Sequence, residues 1–140
     1  MLILPQYPGS PSYPSQDEWN TLNQTLKGKL VHGIPAAHVC YPPREGEAGI
    51  LNTTACSDVA GQLLEETFNA EQAVDINVRF WGGNQCPPVL SPNGTCGQGN
   101  FSDFVVLAES AYDVSVAVKF ANKYNLRLIC KNSGHDFLGR

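Results

Sequence analysis

Apolar residues recur at helical spacing in three stretches of the chain and run without interruption in others. Ser15 opens a capping box, because Glu18 stands three residues on, and Trp19, Leu22 and Leu26 then fall on one face until Gly28. This spacing predicts a helix over about residues 16–27. A second helix is expected from Thr53 or Thr54 through Val59, Leu63, Leu64 and Phe68. The third is the clearest: Ser110 with Asp113 forms another cap, and Val114, Ala117, Val118, Ala121 and Tyr124 draw one apolar face. Lys29 to Ile34 reads as an extended segment ending at Pro35, and Cys40 to Leu51 as loop. Phe104-Val105-Val106-Leu107-Ala108 and Leu126-Arg127-Leu128-Ile129-Cys130 are short apolar runs of strand type on either side of the third helix. Strand, helix and strand so close together predict a βαβ unit with a right-handed crossover and buried, parallel strands.

The rest of the pattern is irregular. Residues 1–14 hold four prolines and no periodicity, which predicts an extended arm. Val74-Asp75-Ile76-Asn77-Val78 alternates like a strand, yet the remainder of 74–100 is dense in glycine, proline and asparagine. The expected organisation is therefore an arm (1–14), a helical and loop-rich region (15–100) and an α/β part (101–140). The fold class is α+β.

Charge and composition narrow the partners. The chain of 140 residues is 42% hydrophobic and 16% charged with a net charge of −4, which is unlike a disordered segment. Its basic residues are scattered, so nothing forms a cationic stripe for nucleic acid. No apolar run approaches the ~20 residues that span a bilayer, and Met1-Leu2-Ile3-Leu4 before Pro5 is too short for the apolar part of a signal peptide. The oligomeric state is left open by the sequence.

Other residues point to export. Asn23-Gln24-Thr25, Asn52-Thr53-Thr54, Asn93-Gly94-Thr95 and Asn100-Phe101-Ser102 are N-glycosylation sequons with no proline in the middle position. Together with five cysteines they favour a secreted, extracellular protein whose signal peptide is missing from this chain. Cys40 and Cys56 flank one proline- and glycine-rich loop, Cys86 and Cys96 another, and pairing within each loop is the expected arrangement. Four cysteines allow three connectivities, and five reduced thiols are the alternative. Cys130, in an apolar strand, is expected as a buried thiol. A zinc site is disfavoured: no C-x-x-C occurs, and Cys130 with His135 cannot supply four ligands.

Chemistry concentrates at the end of the chain. After the last apolar run comes Lys131 and then Asn132-Ser133-Gly134-His135-Asp136-Phe137-Leu138-Gly139-Arg140, a glycine-bracketed turn that presents one histidine. Such a turn exposes consecutive backbone N–H groups, the usual means of holding a phosphate, and sets a nucleophilic imidazole beside it. By position it leaves the C-terminal end of a parallel strand, where open α/β sheets bind ligands. Strand and turn together resemble the first half of the PCMH-type FAD-binding domain in fungal secreted FAD-linked oxidases, which are berberine-bridge-enzyme-like members of the vanillyl-alcohol-oxidase superfamily. Ser12-Tyr13-Pro14-Ser15 with Trp19-Asn20-Thr21-Leu22-Asn23 resembles that family's opening helix, Gly33-Ile34-Pro35 and Val39-Cys40-Tyr41 its next segment, and Val105 to Phe120 its strand and helix.

The resemblance implies an incomplete FAD-binding domain in an oxidoreductase acting on an alcohol or a similar small molecule. It also implies that His135 is the residue joined covalently to the flavin 8α-methyl carbon. Gly134 and Gly139 then give backbone freedom, Ser133 and Asn132 add side-chain hydrogen bonds, Arg140 pairs with phosphate, and Asp136 belongs to the same cofactor-binding set, its bland reading being a cap on the turn. Family members usually carry a cysteine and a tryptophan ahead of the first proline of the opening segment, where this chain reads Ser12-Tyr13-Pro14, so one disulfide of the pattern is expected to be absent. Relatives also run on for several hundred residues that carry the substrate domain and catalytic bases, so no catalytic residue is expected here and the chain alone should be inactive. The bland reading of His135 is an exposed turn histidine without a ligand. On that reading the chain is a small secreted cystine-rich glycoprotein acting as a binding module. His32 and His38 lie beside turn residues and have no assigned role.

Overall fold

The computed structural model describes residues 5–45, 49–62, 65–74 and 85–132. They divide between two compact units, the first drawn from residues 1–31 and 106–130 and the second from 32–105 and 131–140. The architecture is α+β, with four α-helices, a short 3-10 helix and one two-stranded ribbon among the described residues.

Two helices form the first unit. Helix α1 (Gln16–Thr25) begins at the expected capping box: the Glu18 N–H donates to Ser15 Oγ at 3.4 Å and the Ser15 N–H donates to Glu18 Oε2 at 2.8 Å. It ends where Lys27 and Gly28 turn to φ 54° and 86°, a conformation that glycine adopts without penalty. Helix α4 (Ala111–Lys123) is capped by Ser110, whose Oγ accepts from the Asp113 N–H at 3.2 Å. The helices meet through aromatic rings, Trp19 against Phe120 at 4.8 Å, with Tyr13 and Tyr124 continuing the row at 5.9 and 4.7 Å.

The buried face of α4 differs from the apolar stripe. Val114 and Val118 are 48% and 44% exposed, whereas Asp113 and Ala121 are buried. The cause is charge: Lys29 Nζ lies 2.7 Å from Asp113 Oδ2 and 3.2 Å from Glu109, and the Glu109 N–H also donates to Asp113 Oδ2 at 3.0 Å. A carboxylate that is paired and hydrogen-bonded can turn inward.

Strands β1 (Leu30–His32) and β2 (Phe104–Val106) pair as an antiparallel ribbon and are both divided between the units. The register follows from two bonds, Leu107 N–H to Lys29 O and Gly33 N–H to Asp103 O, both 2.9 Å. The order strand, helix, extended segment is as expected for a βαβ unit, but the second strand is barely formed. Only Leu126 pairs, in parallel with Gln6, whose N–H donates to Asn125 O at 2.8 Å. Leu128 and Ile129 are 47% and 64% exposed. The expected buried parallel strand is thus corrected, because no backbone partner reaches 127–130 among the described residues and a strand needs in-plane neighbours to be buried. The proline-rich arm is not simply extended either, since Ser10 and Tyr13 donate back to Tyr7 O and Ser10 O in successive turns.

Cystines form the centre of the second unit. Cys40–Cys56 joins the 3-10 helix Ala36–Cys40 to helix α2 (Thr53–Gln62), and Cys86–Cys96 closes the later loop. All four sulfurs belong to one buried cluster with Ala37, Val39 and Tyr41, and the Tyr41 hydroxyl donates to Pro87 O at 2.7 Å. Both expected pairings are present. Cys130 is the exception: it is exposed, because the segment that carries it is not covered. The single helix expected from Thr53 to Phe68 is two, with extended Glu65 preceding α3 (Glu66–Glu71). Of the expected strand 74–78 only Val74 is described, and it is buried.

Candidate functional site

The extended segment 126–130 delivers the chain to Lys131, which the sequence marks only as a strand end. Its ammonium donates to Ala70 O at 2.6 Å and to Gln72 O at 2.5 Å, at the C-terminal end of α3. A lysine there satisfies carbonyls that have no partner within the helix and complements the helix dipole. Burial of the amine holds its pKa below the ordinary lysine value. Lys131 is thus committed to these two carbonyls.

Asn132 follows at an exposed bend. Ser133, Gly134, His135, Asp136, Gly139 and Arg140 lie outside the described residues, so of the expected set only Asn132 is placed. The donor set in sequence, amide, hydroxyl, imidazole and guanidinium around two glycines, matches the needs of an anionic dinucleotide with a reactive ring. The other histidines serve the fold: His38 Nδ1 lies 2.8 Å from Pro35 O, and the His32 ring packs on Phe104 at 4.6 Å.

One feature escaped sequence reasoning. In the first unit an open cleft of about 500 Å³ is lined by Gln6, Tyr13, Glu18, Lys123, Tyr124 and Asn125, among others. The Tyr124 hydroxyl donates to Glu18 Oε1 and accepts from Lys123 Nζ at 2.6 Å. This chain holds the Glu18 carboxyl below the usual carboxylate range, chiefly through Tyr124, and the Lys123 ammonium above the usual lysine range, again chiefly through Tyr124. The charges thus satisfy one another and stitch α1 to α4. Tyr124 shows only its apolar spacing in sequence, which hides the role of its hydroxyl. Among the described residues no group of His, Cys, Asp and Glu is arranged to hold a metal, and no helix is long and apolar enough to cross a membrane.

Known proteins share both sequence and fold with this chain. No family model matches it. The VAO-type flavoprotein oxidase VAO615 of Thermothelomyces thermophilus is 34% identical over 134 residues, covering 95% of this chain and 23% of that protein. An uncharacterized FAD-linked oxidoreductase of Arthroderma benhamiae is 36% identical over 138 residues, with 95% and 22% covered. The crystal structure of the VAO-type flavoprotein MtVAO615 from Myceliophthora thermophila C1, solved at pH 5.0, superposes with a TM-score of 0.85 at 33% identity, over 96% of this chain and 24% of that one. The fold is that of part of a VAO-type flavoprotein. The chain is homologous to a segment of these FAD-linked oxidoreductases and spans about a quarter of their length.

Proposed function

We propose that the chain forms part of the FAD-binding portion of an FAD-dependent oxidoreductase that oxidises an alcohol or a similar small organic molecule. The observation that carries this reading is the joint match in sequence and fold to a VAO-type flavoprotein along nearly the whole chain. His135 would be the residue that holds the flavin, through its 8α-methyl carbon. Gly134 and Gly139 would keep side-chain bulk away from the pyrophosphate, Asn132 and Ser133 would donate to it, Asp136 would complete the cofactor-binding turn, and Arg140 would pair with phosphate charge. When bound, the flavin supplies the two-electron redox chemistry, and the protein's part is to orient and tune it. Covalent attachment keeps the cofactor on an enzyme released into dilute surroundings, consistent with the secretory reading of the sequons and cystines. The chain spans about a quarter of such enzymes, and no catalytic base is assigned within it.

The test is a chimera in which this chain replaces the matching segment of VAO615. The expected result is yellow protein whose flavin stays with the polypeptide after acid precipitation, and His135→Ala releases it. A chimera that folds and is colourless, or a His135→Ala variant that still holds acid-stable flavin through this segment, overturns the reading.

A further inference from the structure

The four sequons are not equivalent in the folded chain. Asn93 is exposed in a turn closed by the Gly94 N–H to Ser91 O at 3.0 Å. Arg44 Nη2 grips its main-chain carbonyl at 3.0 Å, so the backbone is fixed while the side-chain amide has no hydrogen bond among the described residues. Thr95 beside it is exposed. Asn100 is likewise exposed, in a turn closed by the Phe101 N–H to Gln98 O at 3.0 Å. The same Gln98 anchors that loop, its Nε2 donating to Gly33 O at 2.6 Å and Ser102 O at 2.9 Å.

Asn23 is the opposite case. It is half-buried in α1, its Oδ1 accepts from the Leu30 N–H at 3.1 Å, and the Thr25 hydroxyl donates back to Thr21 O at 2.9 Å. The amide oxygen of Asn23 and the Thr25 hydroxyl are thus both used by the fold, and the Asn23 side chain is held against the turn that follows α1. Asn52 lies between the two, exposed but with Oδ1 capping α2 through the Ala55 N–H at 3.0 Å.

We propose that Asn93 and Asn100 carry N-linked glycans and that Asn23 does not. The donor is a lipid-pyrophosphate-linked oligosaccharide. The bond from the sugar anomeric carbon to phosphate oxygen breaks, a bond from that carbon to the asparagine Nδ2 forms, the amide gives up one proton, and the lipid pyrophosphate leaves, with no change of oxidation state. A glycan at Asn93 stands on the same loop as Val89 and Leu90, which are 62% and 47% exposed, and screens that apolar surface from other molecules. The proposal rests on the secretory part of the functional reading and is independent of flavin.

The experiment is secretion of the chain behind a leader peptide from a glycosylating fungal host, followed by peptide-N-glycosidase release in heavy-oxygen water and peptide mass mapping. Asn93 and Asn100 are expected to be converted to isotopically labelled aspartate, while Asn23 stays unlabelled. In gels N93Q and N100Q each gain one step of mobility and N23Q gains none. Absence of label at either Asn93 or Asn100, or label at Asn23, overturns the proposal. Protein that is glycosylated at these sites while the chimera is colourless would refute the flavin reading and leave this one standing.

Discussion

The two units are held together by different chemistry. In the first, α1 and α4 are each capped and meet through an aromatic row, and a half-buried ion pair ties Lys29 to Asp113 of α4. In the second, helices are short, loops are rich in proline and glycine, and the buried cluster is built around two cystines. The contrast shows what covalent closure contributes: where proline and glycine prevent regular packing, cross-links limit the freedom of the unfolded chain.

The sharpest way to break this contrast is Trp19→Ala. Removing a ring that is 8% exposed and packs on both Tyr13 and Phe120 should cost about 3–5 kcal/mol in denaturant unfolding. Hydrogen exchange should accelerate in α1 and α4 first. Replacing Cys40 and Cys56 together by alanine should cost about 3 kcal/mol, for a loop with a sequence separation of 16, and accelerate exchange in α2 rather than α1. Equal effects on both helices would show that the units do not have separate sources of stability.

Asp113→Asn sharpens the electrostatic side. The Lys29 ammonium and the Glu109 N–H hold the Asp113 carboxyl at about 2, below its ordinary 3.8, so the folded state favours the charged form. Its stabilising effect is therefore complete above the unfolded value and is lost as pH falls from about 3.8 through about 2. The variant should be less stable at neutral pH, and its deficit should vanish in acid thermal melts. The smallest effect is expected from Ser15→Ala, about 1 kcal/mol, seen as fraying of the first turn of α1.

Local signals were legible in the sequence and distant ones were not. Ser15 with Glu18 and Ser110 with Asp113 announce helix starts because both partners sit within one turn. The cystine pairs could be read because each closes its own loop. By contrast, the pairing of Lys29 with Asp113 spans 84 positions, and no periodicity encodes it. The same limit hid the antiparallel partner of β2 and the exposure of Cys130, since an apolar run states that burial is wanted without naming what provides it. The engagement of Lys131 with α3 was hidden for the same reason, since it depends on a segment 59 and 61 positions away.

Helix α3 has six residues, fewer than the dozen or so that hold a helical peptide together in water. Two of its terminal carbonyls are answered by the amine of Lys131. Acetylating that amine, or clipping the polypeptide just ahead of it, would therefore be felt far upstream as an unravelled α3, so the tail acts as a remote clamp on a helix it never joins.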